Sequence, residues 1–427
     1  MHFFIYNLIL LALFPAVLLF ITIRLFNKKE TLSSIYQKLS LYTLFQKNNS
    51  KVETVWLHAV SVGESKSTLP IIKEINKSFP NFQVLLTTST IGSLKFIQKI
   101  KSNGGYNFIH KFCPIDLSFI VKNFINFWQP KKLIIFETDI WPNMISISQK
   151  LDIETYIVNG KLSKQTQDKW LKYNFSKKIF IDILRNIKLI VPSTACNRDS
   201  FLSLELKNVA DFYLNTKNYI QEKLTKEQVK LLNFYKQKIK KNKKAIFVSN
   251  IHLEEIDIII PKIISLAEKI GALLIIAPRH YDQFANKYPN YINNDNVIFD
   301  DLSYQDYDKK DIIMVRSFGM LNIFYKLADI TLLCGSFVKE IGGHNPFESI
   351  YNETPVICGN FYENYLELYE ELKNLEIITI SNESSFIAEI ESTINNNDKI
   401  SSVIDKIKNF NDSKSGNDIE KITRKIF

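Results

Sequence analysis

The sequence predicts an α/β protein built from two doubly wound, Rossmann-like domains, and three observations predict it. Short apolar, β-branched runs alternate with longer segments of helical period. The alternation breaks once and then restarts. The chain is 427 residues long, more than the roughly 100 to 200 that one domain usually holds.

In the first half the strand candidates are TVWLHAV (54 to 60), FQVLLTT (82 to 88), KKLIIFE (131 to 137), ETYIVN (154 to 159) and LIVPS (189 to 193). Segments such as TLPIIKEINKSF, GSLKFIQKI and NMISISQKL lie between them with helical spacing. Strand and helix in alternation predict a parallel sheet covered on both faces. A Lys-rich, apolar-poor helix around 226 to 244 ends this half, and AIFVSN, ALLIIAP, NVIF, DIIMV, DITLLC and PVICG then repeat the pattern. The expected organisation is an anchor at 1–30, a first Rossmann-like domain at 31–220 and a second at 221–427, with a ligand cleft between the two domains. The Asn/Lys/Ser-rich tail after about 390 reads as a weakly specified helical end.

A hydrophobic content of 46% is enough for two cores. The net charge of +10 and pI near 9.1 suit an anionic surface, but the basic residues are spread out and form no nucleic-acid module. Nucleic acid is therefore not an expected partner. Cys113, Cys196, Cys334 and Cys358 are too far apart for a zinc site or a small disulfide scaffold, and read as thiols in a reducing compartment.

From Phe3 to Ile23 the only strongly polar residue is Asn7, so a helix there spans about 30 Å, one hydrocarbon core. A signal peptide would begin with basic residues, and MHFFIYN has none. Arg24, Lys28 and Lys29 follow the apolar run, which places the rest of the chain in the cytoplasm. The expectation is a single membrane anchor, while Pro15 leaves open a helix lying in the interface.

In open α/β sheets ligands bind at the carboxyl ends of the strands. Glu64, in WLHAVSVGES, stands at such an end, in a place where it could also merely complement a helix dipole. Glu137, in IIFETDIWPN, stands at another. Two carboxylates at neighbouring strand ends fit proton abstraction from a hydroxyl, one as base and one to orient or stabilise. In CGSFVKEIGGHNPFES, Asn345 as N-cap, Pro346 at the first helical position and Glu348 at the third predict a capping box, and the preceding glycines would bare backbone N–H groups to a phosphate. Arg279, closing LLIIAPRH, could grip a phosphate or carboxylate. The DYD at 306 to 308 is a weak metal motif in a charged loop, and no metal site is expected. Walker A, G-x-G-x-x-G, H-E-x-x-H and G-x-S-x-G patterns do not occur at the relevant places.

The segments WLHAVSVGE, LLTTSTIGS, ETDIWPN, APRH and CGSFV…GGHNPFE, in this order behind an apolar N-terminus, resemble the 3-deoxy-D-manno-octulosonic acid (Kdo) transferases of Gram-negative bacteria, from about residue 1 to 370. The resemblance implies a GT-B fold, association with the cytoplasmic face of the inner membrane, and inverting transfer of Kdo from CMP-Kdo to the lipid A precursor, lipid IVA, without a cofactor. It matches Glu64 to the catalytic base, Glu137 to an acid supporting the transition state, and Lys217, in LNTKN, to the lysine of a G-[NS]-L-K segment. It implies donor contacts at Pro278, Arg279, Phe318, Gly319, Met320, Asn345, Pro346, Phe347 and Glu348. Two departures stand out. Met320 replaces the acid of G-E-L, and GKLS (160 to 163) replaces A-R-L-S.

Overall fold

The computed structural model of the protein describes residues 2–46, 48, 52–220, 224–293, 296–300, 311–317, 319–414 and 417–427. The chain forms two compact units, residues 1–220 together with 416–427, and residues 221–415.

The first unit holds strands β1 (Glu53–His58), β2 (Phe82–Thr88), β3 (Ile109–Phe112), β4 (Pro130–Phe136), β5 (Glu154–Gly160) and β6 (Leu189–Pro192). They form one sheet in the order β3-β2-β1-β4-β5-β6, every pairing parallel. Trp56 on the central β1 lies level with Leu85 on β2 and Leu133 on β4. These three side chains enter one core with Val121 and Phe124, while Val55, Leu57, Leu86 and Ile134 enter the core on the opposite face. The alternation follows from the two-residue period of a strand, and because helices cover both faces both sets are apolar.

The second unit repeats the plan with β7 (Ala245–Ile251), β8 (Leu273–Pro278), β9 (Val297–Phe299), β10 (Ile312–Met314), β11 (Ile330–Leu333), β12 (Val356–Cys358) and β13 (Ile378–Ile380). Its order is β13-β12-β11-β7-β8-β10-β9, again all parallel. Each sheet has a central place where the strand order reverses direction, between β1 and β4 in the first and between β7 and β11 in the second. There adjacent loops leave in opposite directions and open a crevice for a ligand.

Every strand expected from sequence is present, and β3 and β13 are additional. Both are short edge strands, and β3, with His110 and Lys111 among its four residues, does not read as apolar. The C-terminal boundary is corrected. Residues 417–426 form a helix that belongs to the first unit, so the second ends near 415 rather than 427. Ile419, Ile422 and Ile426 recur at helical spacing and are buried against the helix Val62–Ser78, and Phe427 stacks on Phe79 at 4.5 Å.

At the other end of the chain α1 (His2–Phe26) is long and apolar enough to cross a membrane. It too belongs to the first unit.

Candidate functional site

The helix Val62–Ser78 begins directly beyond the carboxyl end of β1. Ser61 is its N-cap, with its hydroxyl oxygen accepting from the Glu64 N–H at 3.3 Å. Glu64 answers in kind. Its Oε1 accepts from the Ser61 hydroxyl at 2.8 Å and its Oε2 from the Val60 N–H at 2.7 Å. The carboxylate is thus fixed over the strand end while remaining half-buried rather than enclosed.

Glu137 is the first residue past β4, the strand beside β1 at the reversal point. Its φ of 61° lies in the left-handed region, which costs a residue with a side chain about 1–2 kcal/mol. Its Oε1 accepts from Lys161 Nζ at 2.8 Å and from Lys217 Nζ at 2.9 Å. Burial alone would raise its pKa, but the two ammonium groups overcome it and hold the carboxyl below its ordinary value. Lys217 also reaches the start of the Glu64 helix, since a Cβ added to Gly63 would lie 3.7 Å from its Nζ. The structure therefore gathers Glu64, Glu137 and Lys217 into one site.

Two further residues join them. Lys161 follows β5, which pairs with β4, and its backbone is cross-tied to Thr138: the Thr138 hydroxyl donates to the Lys161 carbonyl and accepts from the Lys161 N–H. Asp139 lies two residues beyond Glu137. Burial, and then the charges of Glu64 and Glu137, push its carboxyl up to about 6. By contrast His58, conspicuous in WLHAV, is fully buried with Nδ1 2.9 Å from Thr87 Oγ1, and burial lowers its pKa to about 4. It is a neutral core residue.

In the second unit the reversal point is organised by Glu255, which is fully buried. Its carboxylate accepts from the N–H groups of Gly335, Phe337 and His252, tying the loop after β7 to the loop after β11. His252 and His344 then meet, Nε2 to Nε2 at 2.8 Å with their rings stacked. Burial, together with the neighbouring His252 and Arg279, lowers His344 to about 4. Gly335 is required there, because at φ 85° a Cβ would stand 2.3 Å from the His344 ring.

Pro278 closes β8, and Arg279 follows with an exposed side chain while its N–H bonds the Ile251 carbonyl at 2.9 Å. Gly319 has φ 83°, and its carbonyl accepts from Gln228 at 3.2 Å. Met320 packs against the second unit's core, and Phe318 lies outside the described residues, as does the DYD segment. The expected capping box is not formed. Asn345 Oδ1 accepts from the Phe347 N–H two residues on, the helix Phe347–Tyr351 starts one residue later than expected, and Glu348 stands at its second position. Phe347 is buried, stacked between Tyr351 and Phe410, whereas Glu348 is exposed.

Sequence reasoning missed Asp139, the partnership of Lys161 with Glu137 and the pairing of His252 with His344, while SNIHLEE reads only as keeping His252 and Glu255 of an S-T-H-x-x-E segment. Lys161 carried a signal, since GKLS keeps a cation where A-R-L-S has one. Asp139 stood in the same ETDIWPN segment as Glu137, and only the meeting of His252 with His344 depends on the sheet order.

Two parallel, doubly wound units of this kind make up a GT-B fold. The UDP-GlcNAc 2-epimerase from Neisseria meningitidis shares the fold, with a TM-score of 0.57 at 11% identity, over 87% of this chain and 99% of that one. Residues 33–219 match the family described as 3-deoxy-D-manno-octulosonic-acid transferase (kdotransferase). The chain is 28% identical over 388 residues to the 3-deoxy-D-manno-octulosonic acid transferase of Rickettsia typhi, covering 88% of this chain and 79% of the relative. It is 28% identical over 333 residues to that of Haemophilus influenzae, covering 75% and 74%. The first unit carries the domain of the Kdo transferases, glycosyltransferases of lipopolysaccharide biosynthesis, and most of the chain resembles them.

Proposed function

We propose that the protein transfers Kdo from CMP-Kdo to a primary hydroxyl of the lipid A precursor, lipid IVA, by an inverting displacement with Glu64 as general base. The observation that carries this reading is the meeting of Glu64, Glu137 and two lysines at the β1/β4 reversal point. Glu64 takes the hydroxyl proton as that oxygen bonds to the anomeric carbon from the face opposite the phosphate. The bond from the anomeric carbon to the phosphate oxygen breaks, and its electron pair leaves with CMP. Glu137, held ionised by Lys161 and Lys217, faces the positive charge that develops on the sugar, and the lysines face the groups that become negative.

On the donor side Arg279 offers an exposed guanidinium beside the strand end, and Glu348 an exposed carboxylate for sugar hydroxyls. Pro278, Gly319, Met320, Asn345 and Pro346 shape the loops around the nucleotide, and Phe318 completes the expected set. The core position of Phe347 suits it to hold its loop rather than touch the ligand. The apolar α1 keeps the enzyme at the cytoplasmic face of the inner membrane, where the acceptor lies.

The test is direct. Full-length protein in mild detergent, given CMP-Kdo and the tetraacyl disaccharide acceptor, should yield lipid heavier by one or more Kdo residues in a mass spectrum. Lipid of unchanged mass, from protein that is folded and binds CMP, would sink the proposal.

A further inference from the structure

Helix α1 does not project from the first unit; it lies along it. The partly covered residues of the helix are His2, Phe3, Tyr6, Asn7, Leu10, Phe14, Val17, Arg24 and Leu25, and Ile21 is buried. They recur every three or four residues from one end to the other, so a single stripe faces protein throughout. Phe14 meets Phe119 edge-on at 6.3 Å, His2 meets Phe175 at 6.1 Å, and Lys150 lies over Phe3.

Both ends are tied by polar bonds. Near the start, the Tyr6 hydroxyl donates to Asp116 at 3.0 Å, and Asn7 and Asn143 exchange two amide hydrogen bonds at 2.9 and 3.0 Å. Asp116 and Asn143 are both buried, and Asp116 also accepts from the N–H groups of Asn143 and Met144. Just past the far end, Arg24 and Lys38 both pair with the buried Glu30, and Lys38 donates to the Ser89 carbonyl. A helix of 25 residues is about 37 Å long. A spanning helix with both ends on one unit would carry Asp116, Asn143 and the helix Asn174–Arg185 into hydrocarbon, and the exposed Lys177 and Lys178 of that helix with them.

The remaining face is apolar and open: Phe4, Ile5, Leu8, Ile9, Leu11, Leu13, Leu18, Leu19, Phe20 and Ile23 are exposed. Lys28 and Lys29 at its end, and Lys177 and Lys178 beside it, supply positive charge at the rim.

Resting on the membrane location proposed above, we propose that α1 lies in the plane of the bilayer, its open face sunk in the headgroup–acyl boundary of an anionic leaflet, with both ends on the cytoplasmic side. The helix is bonded to Asn143, six residues beyond Glu137 and in the segment that also carries Asp139. The catalytic carboxylates are therefore fixed at a set height above the lipid, and an acceptor can present its sugar hydroxyl without leaving the membrane.

The experiment uses the full chain with Cys196→Ser, which removes the exposed thiol, in spheroplasts of a Gram-negative host. One version carries a cysteine-bearing tag before Met1 and another Lys28→Cys. In-plane seating predicts that a membrane-impermeant maleimide labels neither in intact spheroplasts and both after lysis, with the protein in the membrane fraction. Labelling of the tag in intact spheroplasts would show a spanning helix and overturn the proposal. Recovery of the protein in the soluble fraction would instead overturn the membrane location on which it rests. Lys177→Glu with Lys178→Glu should weaken binding to phosphatidylglycerol-containing vesicles at least several-fold while leaving binding to neutral vesicles unchanged; equal binding to both kinds by wild type would remove the anionic leaflet from the proposal.

Discussion

Glu64→Gln separates what Glu64 does for the fold from what it does for the reaction. The side chain accepts two hydrogen bonds, from the Val60 N–H at 2.7 Å and the Ser61 hydroxyl at 2.8 Å. Glutamine can turn its carbonyl oxygen to Val60 and its NH2 to Ser61, whose hydroxyl oxygen can accept instead. Both contacts survive in neutral form, and what is lost is their charge assistance and the favourable carboxylate in a first helical turn, together about 1 kcal/mol. That is about 2–4 °C in the melting temperature of a unit this size. As general base, however, the amide cannot hold the proton, and kcat should fall by about 10²- to 10⁴-fold, or about 3–5 kcal/mol of barrier. One preparation assayed by calorimetry and by mass-spectrometric transfer from CMP-Kdo gives both numbers. A variant with kcat within twofold of wild type would refute the base assignment, whatever its melting temperature, and would leave Glu64 as a helix cap alone.

Replacing Lys161 and Lys217 together by Met should lower kcat at least tenfold and cost about 1 kcal/mol at pH 7, the pairs being partly exposed. Because Glu137 is held below its ordinary 4.5, that stability is present above pH 4.5 and lost as pH falls through the lowered value, so urea melts of wild type and variant should converge in acid. Asp139 has the opposite sign. Raised from 3.8 to about 6, its contribution is fully present below pH 3.8 and lost as pH rises through 6. Asp139→Asn should therefore be more stable than wild type at pH 7 by about 1–3 kcal/mol and no more stable near pH 3.5. Arg279→Ala should raise the donor KM by about 10- to 100-fold, with an unchanged melting temperature because the side chain is exposed. Deleting 416–427 exposes three buried isoleucines, each contributing about 1.5–3 kcal/mol, and limited proteolysis should find the first unit unfolded and the second intact.

Fully buried parallel strands read as unbroken apolar runs, which is why β1, β4, β7 and β8 stand out in the sequence and why the residues just past them, Glu64, Glu137 and Arg279, could be picked out as site candidates. The edge strands β3 and β13 could not be seen that way. The C-terminal helix read only as a weakly specified helical end, because its three isoleucines are interspersed with Asp418, Lys421, Arg424 and Lys425 on its solvent side. Lys161 was visible as a residue but not as a partner of Glu137. Their meeting depends on β5 lying next to β4, which the order of elements along the chain does not state. The same holds for His252 and His344, separated by 92 residues and joined only because β11 adds to β7 on the side away from β8.

The charges around Glu64 also constrain how the site can work. Lys161 and Lys217 both point at Glu137, whereas Glu64 accepts from neutral donors, the Val60 N–H and the Ser61 hydroxyl. Asp139, with its carboxyl pushed up to about 6, is mostly ionised at pH 7 and gains its proton just below neutrality. Two lysines against three carboxylates leave the group about one charge negative at pH 7, and the proton that Glu64 takes up in the proposed transfer brings it close to neutral. Gaining one proton therefore removes an excess negative charge rather than adding charge of one sign. A base directly paired to a lysine would be held ionised and made a weaker acceptor; here both lysines bond Glu137 instead. The arrangement predicts that adding a cation beside Glu64, as in Ser61→Lys, would depress kcat even with Glu64 intact, with the loss greatest at neutral pH and above and smaller in acid, where a carboxylate held ionised offsets its weaker basicity.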